Sequence, residues 1–107
     1  MATIKGMLGQ VAPGATSDTA LYTVPASKNA TVKVIVTNRS GATSFRVWVR
    51  VNAEATADKQ YMAYEQAIAG NDSESTVSFM VGGGDIVMVR AASANVSFSC
   101  TGIEQDD

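Results

Sequence analysis

The 107-residue chain predicts an all-β fold, an antiparallel β-sandwich of about eight strands. Three observations predict it. Short runs rich in β-branched and aromatic residues alternate apolar with polar positions. Clusters of Gly, Asn, Asp, Ser and Pro separate these runs at short, regular spacing, and no segment carries a convincing long helix. The length allows one domain and one core.

Residues 1–18 are expected to form an extended N-terminal arm or edge strand. Gly6 and Gly9 interrupt the strand pattern of TIKGMLGQV, and residues 13–18 are loop by composition. The sandwich domain spans 19–103. It opens with TALYTV at 19–24, stopped by Pro25. The stretch 31–51, TVKVIVTNRSGATSFRVWVRV, organises the rest. It reads as a hairpin of two long strands folded back about Asn38, Arg39, Ser40 and Gly41. Val32, Val34 and Val36, then Phe45, Val47, Val49 and Val51, are expected to point to the core, and the alternate positions carry Lys33, Arg46, Trp48 and Arg50.

Residues 52–60 have helix-forming composition but are too short for a stable helix, so they predict a rim connection with a turn or two. Strands follow at 61–67, 74–81, 86–91 and 96–102. In 74–81, Val77, Phe79 and Val81 share one predicted face. Gly82, Gly83, Gly84 and Asp85 make a tight turn that suits positive φ. Because these glycines lead into a strand and lack a Lys-Ser/Thr pair, a phosphate loop is rejected. Residues 104–107 are expected to form an acidic C-terminal tail.

Charged residues are 17% of the chain against 46% hydrophobic, a low charge for a small domain. Coverage of part of the surface by other subunits would account for it. The net charge of −2 hides an asymmetry: residues 1–53 hold six cations against Asp18, while 54–107 hold two against nine carboxylates. If the halves present different surfaces, copies could pack head to tail; interleaved strands would mix the charges again. The start lacks the features of a signal peptide, and no stretch is long and apolar enough to span a membrane, so intracellular synthesis is expected. Cys100 is the only cysteine and reads as a small buried hydrophobe.

Chemistry is not expected. The chain has no histidine and one cysteine, which excludes Ser-His-Asp and Cys-His arrangements within one chain and zinc sites of the Cys/His kind. Its carboxylate pairs lack the spacing of a calcium loop. No cofactor or metal is predicted. The candidate site is an interface made of Arg46, Trp48 and Arg50, with Arg39 and Lys33 from the same basic hairpin. Side chains at i, i+2 and i+4 share a strand face, and Trp and Arg are the residues most enriched at binding hot spots. Nucleic-acid or sugar binding by the same residues competes with this reading. So does a purely structural one, in which Trp48 packs under a loop and the arginines pair with the acidic half. The pI of about 4.9 and the absence of a Lys/Arg cluster argue against nucleic acid.

The strings LYTVPASKNATVKVIVTNRSGATSFRVWVRV, YMAYEQAIAGND and GGGDIVMVRAASANVSFSCTGIE carry a resemblance. Residues 20–104 resemble small structural proteins of tailed-bacteriophage virions. The shared features are a strand ending in Val-Pro-Ala, a strand ending in Asn-Arg-Ser, a Gly-Asp turn before a strand ending in Arg-Ala, and a last strand closing on Gly-Ile-Glu. The resemblance implies a jelly-roll sandwich and a capsid decoration or cementing protein on the outer capsid surface of the virion, made in the host cytoplasm. It implies a homo-oligomer whose partner is the shell of major capsid protein. Related strings in head and tail fibres imply an alternative, glycan recognition through Trp48 with Tyr61 or Tyr64. The resemblance names no catalytic residue.

Overall fold

The computed structural model describes residues 3–106; Met1 and Ala2 of the predicted arm and Asp107 of the predicted tail lie outside the described residues. Nine strands form among the described residues: β1 (Thr3–Val11), β2 (Thr19–Thr23), β3 (Lys28–Asn38), β4 (Thr43–Arg50), β5 (Tyr61–Ile68), β6 (Ser73–Ser75), β7 (Phe79–Gly82), β8 (Ile86–Ala91) and β9 (Val96–Asp106). They build two antiparallel sheets packed as a sandwich. One runs β1-β9-β3-β6, with β7 also paired to β3; the other runs β2-β8-β4-β5.

Alternation decides which side of each strand is covered. Ala30, Val32, Val34 and Val36 of β3 are buried, as are Val96, Phe98 and Cys100 of its neighbour β9. Across the sandwich they meet Phe45 and Val47 of β4 and Val87, Val89 and Ala91 of β8. The rings of Phe45 and Phe98 close edge to face, with centroids 6.3 Å apart. Each such side chain contributes about 1.5–3 kcal/mol by leaving water.

The predicted hairpin at 31–51 is corrected by this arrangement. Strands β3 and β4 do not pair; they lie in different sheets. Two valine-rich faces bury better against each other than side by side, so the chain turns a corner between the sheets. Asn38, 1% exposed, fixes the corner. Its Nδ2 donates to the carbonyls of Gly41 (2.9 Å) and Ala69 (3.1 Å), and its Oδ1 accepts from the Ser40 amide (3.1 Å).

The predicted strand 74–81 is also corrected. It is two strands with a bulged break, and Val77 is 76% exposed. Thr76 causes the break: its hydroxyl accepts from the Val34 amide (3.0 Å) while its own amide donates to the Val34 carbonyl (2.9 Å). The alternation therefore resets between Thr76 and Phe79. At the other end, β9 runs on to Asp106 between β1 and β3. Gly102 is required there, since a Cβ would sit 2.0 Å from the Thr31 carbonyl oxygen.

Candidate functional site

The outer face of the four-stranded sheet carries Arg46, Trp48 and Arg50, at the alternate positions of β4. Trp48 is fully buried. Residues 51–60 fold over it in two short 3-10 turns, and the indole Nε1 donates to the Thr56 hydroxyl (3.2 Å). Two side chains staple this cover. Arg50 donates to the carbonyls of Glu54 (2.8 Å) and Ala53 (3.3 Å). Gln60 donates to the Ala55 carbonyl (2.9 Å) and accepts from the Ala57 amide (3.1 Å). The guanidinium of Arg50 is thus engaged by the loop.

Arg46 takes a different environment. Its Nε donates to the Glu65 carboxylate at 2.7 Å, and its guanidinium lies 4.5 Å from the centroid of the Tyr64 ring and 5.9 Å from that of Tyr61. The hydrogen bond to Glu65 is the main reason its pKa is raised above the ordinary arginine value, with burial working against it. Tyr61 bridges the buried and exposed parts. Its ring lies 5.2 Å from Trp48 and meets Tyr64 edge to face at 4.8 Å. Tyr64 is 58% exposed. Asp58, Tyr61 and Tyr64 line an open hollow of about 370 Å³.

A strict two-residue period would send Tyr61 and Tyr64 to opposite faces. They meet because β5 carries extra residues against β4: Phe45 pairs Gln66, Val47 pairs Ala63 and Trp48 pairs Tyr61. Each step adds one residue on β5, and Glu65 adopts a left-handed φ of 48° beside the first slip. Sequence reasoning placed Arg46 and named both tyrosines, but not Glu65 or Asp58. A glutamate with no turn signal around it gives no warning of a bulge.

The five predicted residues do not form one surface. Lys33 points out from β3 on the opposite sheet. Arg39 is exposed at the corner after β3, its Nη2 on the Ala94 carbonyl (3.3 Å). Among the described residues no group of three or more Asp, Glu, Cys or His side chains could hold a metal ion, and no helix is long and apolar enough to cross a membrane.

A second concavity, an apolar groove of about 500 Å³, opens along the side of the sandwich where β5 and β7 form the sheet edges. Val49, Val51, Met62, Phe79 and Met80 line it, with Glu54, Lys59 and Asp85 at the rim.

Comparison with known proteins found no matching family model and no matching curated protein. Among solved structures, the chain is similar to a pentameric capsid protein isolated from metagenomic phage sequences. The identity is 17% and the TM-score 0.44, over 94% of this chain and 61% of that one. The chain thus spans about three-fifths of that structure's length, and a likeness at this level bears no weight on function.

Proposed function

We propose that this protein is a phage virion structural protein, a capsid decoration protein that attaches to the shell of major capsid protein as an oligomer and adds contacts between its subunits. One observation supports this reading above the others. In the order β1-β9-β3-β6 facing β2-β8-β4-β5, successive strands up to β4 alternate between sheets, as do β5 to β6 and β7 to β8 to β9. We read that order as two interleaved Greek keys, the jelly roll that the sequence resemblance implies. Fold alone does not name a function; the strand order agrees with the fold that the resemblance implies, and the turn motifs alone carry the family. A rigid β body with exposed apolar edges works by the surfaces it offers.

Electron microscopy of virions tests it. The expected result is density of this size on the outer capsid surface, absent from particles made without the protein. Its location inside the shell, or in the tail, would end the decoration reading.

The hollow at Tyr61 and Tyr64 favours a second reading, glycan recognition by a fibre component. An exposed tyrosine ring beside Asp58 and the Arg46–Glu65 pair offers a sugar both an apolar face and hydrogen-bonding groups. Glycan-array binding that is lost in Tyr64→Ala supports it. Capsid attachment unchanged in the same variant would separate the two activities.

A further inference from the structure

We propose that copies of this chain associate head to tail, the β1 edge of one copy seating in the groove between the β5 and β7 edges of the next. This deepens the oligomeric part of the function proposed above and names the two surfaces involved.

Six of the eight exposed large apolar side chains among the described residues lie at two separated places, with Tyr64 and Val77 outside both. Ile4, Met7 and Ile103 lie on β1 and its neighbour β9, while Val51, Met62 and Met80 line the groove. Strands β1 and β7 sit at opposite ends of one sheet, separated by β9 and β3. At about 4.8 Å per strand the separation is roughly 14 Å, so one molecule cannot satisfy both patches.

Charge follows the same division. Lys5 is the one charged residue of β1 and makes no ion pair among the described residues. At the groove rim Glu54 pairs with Lys59 (3.6 Å), which leaves Asp85 as the net negative charge there. A cationic apolar edge and an anionic apolar groove complement each other. Two copies of the same patch would set Lys5 near Lys5 or acid near acid. The contact is therefore heterologous, and repetition closes a ring or extends a chain.

The backbone points the same way. Strand β1 is nine residues long, contains no proline, and is paired on one side only, to β9. The groove is bordered by two further strand edges. An open edge set against an open edge adds main-chain hydrogen bonds to the apolar contact.

The test is the solution mass of the purified protein, measured by native mass spectrometry and light scattering, with two variants. Ile4→Asp spoils the edge and Met80→Asp spoils the groove. Both positions are exposed, 52% and 77%, so the fold is retained, as circular dichroism would verify. Wild type is expected to form species larger than a dimer, and each variant alone a monomer. An equimolar mixture of the two is expected to give a dimer and nothing larger, because one intact edge meets one intact groove. Three results would overturn the proposal: a monomeric wild type, variants that assemble as wild type does, or variants that fail to complement each other. Binding to preformed capsid shells is read separately. A monomer that still decorates shells would refute head-to-tail association and leave the decoration reading standing.

Discussion

Trp48 shows what one side chain's surroundings do to its role. Alternation along β4 places the indole on the outer face, but its 0% exposure comes from the loop over it. Trp48→Ala should therefore destabilise the isolated protein by about 3–5 kcal/mol, while Trp48→Phe, which keeps most of the packing, should cost less. As the only tryptophan, it reports its own environment: emission should be blue-shifted in the native state and move red on urea unfolding. Native emission already at the wavelength of exposed indole would contradict the cover. The outer position of Trp48 was legible because strand period is local. The cover was legible only as one of the competing readings, Trp48 packed under a loop, because it depends on hydrogen bonds from Arg50 and Gln60 to a loop without periodic pattern. A second residue-scale prediction concerns pH. The Tyr22 hydroxyl, on β2, donates to the buried Glu104 carboxylate of β9 at 2.5 Å and links the two sheets. Burial first, then the contact with Glu104, pushes its pKa well above the ordinary 10.0, and burial pushes the Cys100 thiol up to about 11 from 9.0. Both groups keep their protons in the folded state at pH values where the unfolded chain has lost them. Their stabilisation is complete below about pH 9 and falls as pH rises, at up to about 1.4 kcal/mol per pH unit for each group. Urea midpoints should drop between pH 9 and 11, and Cys100→Ala should flatten that part of the profile. A midpoint that rises over this interval would contradict the assignment.

At the scale of elements, short polar devices decide where strands begin, end and change sheets. Asn38 is the clearest. Its side chain supplies the hydrogen bonds that a hairpin turn would have taken from the backbone, and so releases β4 to the opposite sheet. Asn38→Ala leaves the part-buried carbonyls of Gly41 and Ala69 without that donor and should cost about 1–3 kcal/mol, seen as a lower thermal midpoint. A midpoint unchanged from wild type would mean that the corner holds without it. Thr76 acts likewise further along β3, in the same sheet. Because it resets the alternation, Val77→Asp should be nearly silent while Val81→Asp, three strand positions from the break and 4% exposed, should unfold the protein. Equal effects at the two sites would restore the unbroken strand that periodicity predicts. The sequence carried the extent of β8 without error, since apolar positions there are bounded on both sides by glycine- and serine-rich turns. It did not carry the sheet to which β3 and β4 belong, since alternation reports which face is buried and says nothing of which neighbour pairs.

For the whole molecule, the chain path sets the folding rate. Strands β1 and β9 are partners, with Thr3 opposite Gln105, so the first and last strands must find each other across nearly the entire sequence. Sandwiches with such distant pairings fold in milliseconds to seconds, because loop closure is an entropic cost met before the contacts form. A circular permutant isolates this term. Opening the chain at the exposed Gly14–Ala15 bond and joining the C-terminus to the N-terminus by a short glycine-rich linker makes β9 and β1 a hairpin, with every other pairing unchanged. Stopped-flow Trp48 fluorescence should show faster refolding of the permutant, with an unfolding rate close to wild type if β1 is docked in the transition state. If refolding is instead unchanged while unfolding alone shifts, β1 docks after the barrier, and the core of β3, β4, β8 and the rest of β9 forms the nucleus without it. That second outcome would fit the exposure of β1, of which only Leu8 and Val11 pack against the core. It would also leave the β1 edge late to settle and available to a neighbouring copy during assembly.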